Sequence, residues 1–103
     1  MNFEEYVLER RRLFELQPEP KAPRTLLHTA IALGAETGEV QSIIEKAYRT
    51  NSGNLSGVDR WNLIDEIGDV MWECDLICQL IDVDTSIVFQ KNITKLKERH
   101  KLA

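Results

Sequence analysis

Long apolar runs are missing from this 103-residue sequence, and nothing in it approaches the roughly 18 consecutive apolar residues of a membrane-spanning helix. Cysteine is scarce: there are two, Cys74 and Cys78. Four apart on a helix, they share one face, where a disulfide is geometrically poor and two thiols alone make a weak metal site. Both read as small buried hydrophobes. Positive charge is not in excess either, and the net charge of -4 argues against affinity for a nucleic-acid backbone. The opening Met1-Asn2-Phe3-Glu4-Glu5 lacks the basic and apolar regions of a signal peptide, so a cytoplasmic protein is expected. Disorder is excluded by composition, at 43% hydrophobic and 29% charged residues. The length suits one domain over residues 1–103. A domain this small buries only about two-thirds of its unfolded surface, so a core shared with a partner subunit would help.

What the sequence does have is helical periodicity. Residues 2–16 place Phe3, Tyr6, Val7, Leu13 and Phe14 on one side of a first helix. Pro18, Pro20 and Pro23 then stop it and make an extended connection. Thr25 is a natural N-cap for a second helix running to about Arg49. The turn-rich stretch from Thr50 to Gly57 separates it from a third helix, which Ser56 and Asp59 cap and which runs to about Ile81. Asp84 or Thr85 caps a fourth that reaches roughly to His100. No convincing strand can be read. Helices two and three are apolar over much of their circumference, which places them at the centre of a bundle or an oligomer.

Acids interrupt those apolar surfaces. At 100° per residue, Glu66, Asp69 and Glu73 share a stripe with Leu76, Ile77 and Leu80, and Glu36 and Glu39 share one with His28, Ala32 and Ile43. Carboxylates are rarely buried unless their charge is cancelled, and several converging acids repel strongly. A hard divalent cation with oxygen ligands is the economical counter-charge. Glu-x-x-Glu alone is commonplace on solvated helix faces, so the weight rests on both pairs occurring together on adjacent helices. Gly38 and Gly68 stand beside them, and a helix-interior glycine costs about 1 kcal/mol relative to alanine. Close helix approach, or room for a ligand, would compensate that cost. On pattern alone, solvated acidic faces remain open as the alternative.

The segment Leu33-Gly34-Ala35-Glu36-Thr37-Gly38-Glu39-Val40, followed by Leu63-Ile64-Asp65-Glu66-Ile67-Gly68-Asp69-Val70-Met71-Trp72, resembles the MazG-like family. That family belongs to the all-α nucleotide pyrophosphohydrolases, which also include the dimeric dUTPases. The closing Asn92-Ile93-Thr94-Lys95-Leu96-Lys97-Glu98-Arg99 is similar to its Asn-x-x-Lys-Leu-x-x-Arg block, so the resemblance covers roughly residues 24–100. It implies an all-α, four-helix bundle domain completed by homo-oligomerisation, as a homodimer or a dimer of dimers. It implies that Glu36, Glu39, Glu66 and Asp69 are the catalytic acids that coordinate Mg2+, with Mn2+ able to replace it. The reaction implied is hydrolysis of a nucleoside triphosphate to a monophosphate and pyrophosphate, in nucleotide-pool sanitation or balancing.

By the same resemblance Asn92, Lys95 and Arg99 are candidates for substrate contacts on one flank of the fourth helix; Lys46, by its place two turns beyond Glu39 on the same side, is a candidate for phosphate. Solvated positions are the plain reading of each. Two departures stand out. Ala35 replaces the first of two consecutive glutamates often found in the family, which leaves the signature acids in register. Glu73 stands where relatives often carry tyrosine near the base, and it could accept from a base amino group or add an acid to the metal cluster. His28 is expected to pack or hydrogen-bond rather than ligate. The run Arg10-Arg11-Arg12 is expected to snorkel on a solvated face. Rival expectations are a narrower dUTP-, dCTP- or phosphoribosyl-ATP-directed enzyme, and a non-catalytic helical interaction module that uses buried acids for specificity.

Overall fold

The computed structural model describes residues 1–17 and 24–102. Four helices follow one another: α1 (Phe3–Leu16), α2 (Leu26–Asn51), α3 (Gly57–Leu80) and α4 (Thr85–Arg99). Among the described residues there is no strand. The all-α, four-helix class expected from the sequence is what the chain adopts. The proline connection, residues 18–23, lies outside the described residues.

Local chemistry explains the boundaries. Each helix begins on a residue whose side chain satisfies an orphan amide of the first turn. Asn2 accepts from the Glu5 amide at 2.8 Å and Thr25 from the His28 amide at 3.1 Å. Ser56 and Asp59 form a reciprocal capping box, with both bonds at 3.0 Å. Asp84 accepts from the Ser86 amide at 2.9 Å. At the end of α2 the chain turns through Ser52 (φ 53°) and Gly53 (φ 83°) in the left-handed region. A Cβ on Gly53 would lie 3.0 Å from the Tyr48 ring, so both backbone and space demand glycine there. This tight turn sends α3 back antiparallel along α2, and that hairpin makes most of the inter-helix packing. Helices α1 and α4 each lean on α3 alone at the backbone level, with Phe3 and Phe89 joining their ends at a ring separation of 4.6 Å.

The interior is small and unusually polar. Leu76 is fully buried, with Ala47 and Cys78 beside it in the buried set. The other large side chains wholly withdrawn from water are Arg10, Thr29 and Asp75. A radius of gyration of 16.6 Å exceeds the ~13 Å of a compact domain of this length. Ile31, Ile44, Trp61, Ile64, Ile67 and Met71 leave apolar faces of α2 and α3 uncovered. Cys78 is buried as expected, but Cys74 is exposed, because it continues the uncovered stripe of Ile67 and Met71. Leu76→Ala is expected to destabilise the fold by about 2–5 kcal/mol, read as a lower urea midpoint at unchanged slope.

The expectation for the arginine run needs a larger correction. Arg12 is exposed and pairs with Glu9 at 2.8 Å, but Arg10 is only 1% exposed. It falls on the same α1 stripe as Phe3, Val7 and Phe14, so packing α1 on α3 carries its guanidinium inside. There Nε donates to Asp75 and Nη2 to Gln79. Asp75 also accepts from the Thr85 hydroxyl and, at 3.5 Å, from Arg11. One buried carboxylate therefore ties α1, α3 and α4 together.

Candidate metal centre

The antiparallel hairpin sets the middle of α2 against the middle of α3, where the acids lie. Glu36 comes from α2, and Glu66 and Asp69, one turn apart, come from α3. One carboxylate oxygen from each lies within 4.8 Å of the others. Three anionic groups at that spacing repel unless a cation or protons intervene. The Glu36 carboxyl accordingly titrates above its ordinary range, first through partial desolvation and then through Asp69, Glu66, Glu73 and Glu39. Glu39, one turn along α2 from Glu36, is exposed and stands outside the trio. Oxygen-only donors, with no imidazole or thiolate among them, fit a hard ion such as magnesium or manganese.

A cleft of about 340 Å³ opens beside these acids, lined by Gln17, Glu36, Asp69, Trp72 and Glu73. That is within the size range of small-molecule sites. Glu73 is buried, and both its oxygens accept from Arg24 Nη2, at 2.7 and 2.8 Å. Arg24 Nε reaches the buried Thr29 hydroxyl at 3.4 Å, and that hydroxyl donates to the Thr25 carbonyl at 2.9 Å. The charge at position 73 is therefore held by a neighbour at the start of α2. Asn92, Lys95, Arg99, Lys46 and His28 are exposed and do not line this cleft. A Cβ added to Gly38 or Gly68 would meet nothing within 4 Å. Within the chain, then, these glycines serve no close helix approach, and open space beside the acids is what they leave.

Gln17 and Trp72 line the cleft and Arg24 holds its Glu73, and the sequence reading singled out none of the three. Gln17 follows the last turn of α1, and Arg24 lies 49 residues from its partner, so neither carries a periodic signal. Trp72 sits inside the acidic motif, one turn beyond Asp69, and could have been marked from that spacing.

A family model of the MazG nucleotide pyrophosphohydrolase domain matches residues 24–103. The chain belongs to the MazG family. The match takes in α2, α3 and α4, with all four signature acids, and leaves α1 outside. The chain is also similar to the Gene 37 protein of Mycobacterium phage L5, with 34% identity over 74 residues that cover 72% of this chain. This MazG chain spans 65% of that relative's length. No solved structure gives a significant match. No helix among the described residues is long and apolar enough to cross a membrane.

The raised Glu36 carboxyl has a measurable consequence. A carboxyl whose folded pKa is raised favours the fold below its unfolded pKa, and that advantage is lost as pH rises through the raised value. At neutral pH the ionised Glu36 carboxylate is therefore expected to work against the fold. Glu36→Gln is expected to raise the melting temperature in chelator and to remove the further rise expected of the wild type in millimolar magnesium. Paired thermal melts with and without magnesium test this, and an unchanged magnesium response in the variant would remove Glu36 from the site.

Proposed function

We propose that this MazG domain is a magnesium-dependent nucleoside triphosphate pyrophosphohydrolase. It would cleave a nucleoside triphosphate to a monophosphate and pyrophosphate, with standard or modified deoxynucleotides as substrates and pool sanitation or balancing as the role. The observation that carries this reading is the convergence of Glu36, Glu66 and Asp69 within 4.8 Å, from two helices, at one side of an open cleft.

In this proposal Glu36, Glu66 and Asp69 hold the cation, and Glu39 joins them from the next turn of α2. When bound, magnesium offsets the charge of the triphosphate and lowers the pKa of a water that attacks phosphorus. The chain's own carboxylates repel a bare triphosphate, so they make substrate binding conditional on the ion. The Arg24 pair partly offsets the charge of Glu73, which still adds to the repulsion felt by Glu36. Asn92, Lys95, Arg99 and Lys46 do not line the cleft of their own chain, so a substrate role for them calls for a second copy. The uncovered apolar faces of α2 and α3 favour such a homodimer or dimer of dimers.

The test is an end-point assay with magnesium over the eight standard triphosphates, dUTP, and oxidised or methylated bases, with products resolved by anion exchange. Monophosphate plus pyrophosphate from the wild type, and not from Asp69→Asn, supports the proposal and ranks the bases. A folded protein that turns over none of them would overturn it.

A further inference from the structure

Arg10 does more than join helices. A buried, paired guanidinium is weak evidence for stability, since an apolar side chain of similar volume often serves as well. Its orientation points elsewhere. Two edges of the group are fixed from α3, by Asp75 at Nε and by Gln79 at Nη2. The remaining Nη1 is buried and finds no hydrogen-bond partner among the described residues. The guanidinium carbon lies 5.2 Å from the centroid of the Trp72 ring, within cation–π reach, with Phe14 at 5.9 Å. That same Trp72 lines the cleft beside Asp69 and Glu36, and Gln17 from the end of α1 lines it too.

The cleft thus has an anionic end and an aromatic wall about one helical turn apart. A nucleotide whose phosphates lie at the acids must place its base within a sugar's length of them, and a flat indole there offers a stacking surface to any base. We propose that Arg10 is a positioning residue that holds Trp72 as the platform for the nucleotide base. On this inference α1, outside the segment that defines the family, is a substrate-binding element of this chain. The inference rests on the nucleotide reading of the site.

The experiment uses the full chain with Trp61→Phe, which leaves Trp72 as the sole indole, because the sequence has two tryptophans. Trp61 is exposed and does not line the cleft. Emission from Trp72 is followed while deoxynucleoside monophosphates, and separately inorganic pyrophosphate, are added with magnesium. Monophosphates should quench it and pyrophosphate should not. In the same background Arg10→Lys keeps the charge but loses the fork. It should raise the monophosphate Kd and the triphosphate KM roughly tenfold, in line with loss of one base–aromatic stack, at little-changed kcat. Gln79→Ala, which frees one edge and leaves the Asp75 pair intact, should shift both in the same direction and guards against misfolding of the arginine variant. A merely structural Arg10 would lower the melting temperature and leave Kd and KM of the folded protein unmoved, and that result overturns the inference. Turnover of triphosphates without quenching by monophosphates sinks the inference and leaves the proposed reaction standing. Quenching without turnover supports the base platform and sinks the reaction, and neither signal sinks both.

Discussion

Asp69→Asn should lower kcat/KM for nucleoside triphosphates by about two to three orders of magnitude while leaving the helix content unchanged. Metal-assisted stabilisation of transition-state charge is worth several kcal/mol, and each ~1.4 kcal/mol is tenfold in rate. Asp69 sits where that contribution is most exposed to loss. Its oxygen is one of three within 4.8 Å, and it also lines the cleft, so in the proposed reaction it would stand between cation and substrate. The amide keeps the shape but removes one negative charge and offers a poorer ligand. Two signatures should therefore appear together: a higher magnesium concentration for half-maximal rate, and a lower kcat at saturating magnesium. Circular dichroism and a magnesium titration of initial rates decide the matter. Wild-type rates in the variant would remove Asp69 from the site, whereas a fall in rate accompanied by lost helicity would mark it as structural.

Asp75→Asn should destabilise the fold by about 3–5 kcal/mol, the range seen when one partner of a buried ion pair is removed. That is a large share of the 5–15 kcal/mol that holds a typical domain together. The reason lies in what Asp75 serves: at 1% exposure it accepts from Arg10, Arg11 and Thr85, and so couples three helices. Its loss leaves the Arg10 charge buried without an anion. Replacing both partners, as Arg10→Met with Asp75→Leu, should recover much of the stability, and the double-mutant cycle would isolate the coupling. Acid dependence follows from the same pair. Burial pushes the Asp75 carboxyl up, but hydrogen bonds from Thr85, Arg10 and Arg11 outweigh it and hold the group below the ordinary range. A depressed folded pKa stabilises the fold above the unfolded value of about 3.9, and that contribution is lost as pH falls through the folded value. Asp84, held low by its bonds to Ser86, acts in the same window, so Asp84→Asn is the control. Urea denaturation at neutral pH and an acid titration of ellipticity check both parts. An Asp75→Asn protein that unfolds at the wild-type urea midpoint and acid pH would refute them.

The helices and the acid pairs were legible in the sequence because both rest on local spacing. Capping residues at Thr25, Ser56 and Asp84 act within three positions of themselves. Glu66 and Asp69 reach one face because a helix turns once in 3.6 residues. The resemblance read from those acids and from the closing α4 block agrees with the family match over residues 24–103. The site as a three-dimensional object was less legible. Glu36 and Glu66 meet only because the turn at Ser52 and Gly53 fixes how α3 lies along α2, and the same hairpin leaves Glu39 outside the trio.

What the sequence by itself determined, then, is the all-α class and the helix ends, since each follows from interactions within a turn or from a short motif. Only the tertiary structure decided the fate of the longer-range charges. Arg10 looked like part of a solvated run and is buried; Glu73, read as a candidate for a base contact or the metal cluster, accepts from Arg24. The cost of burying a charge depends on the partner that meets it. For Arg10 and Glu73 those partners, Asp75 and Arg24, lie 65 and 49 residues away and are brought into place by helix packing.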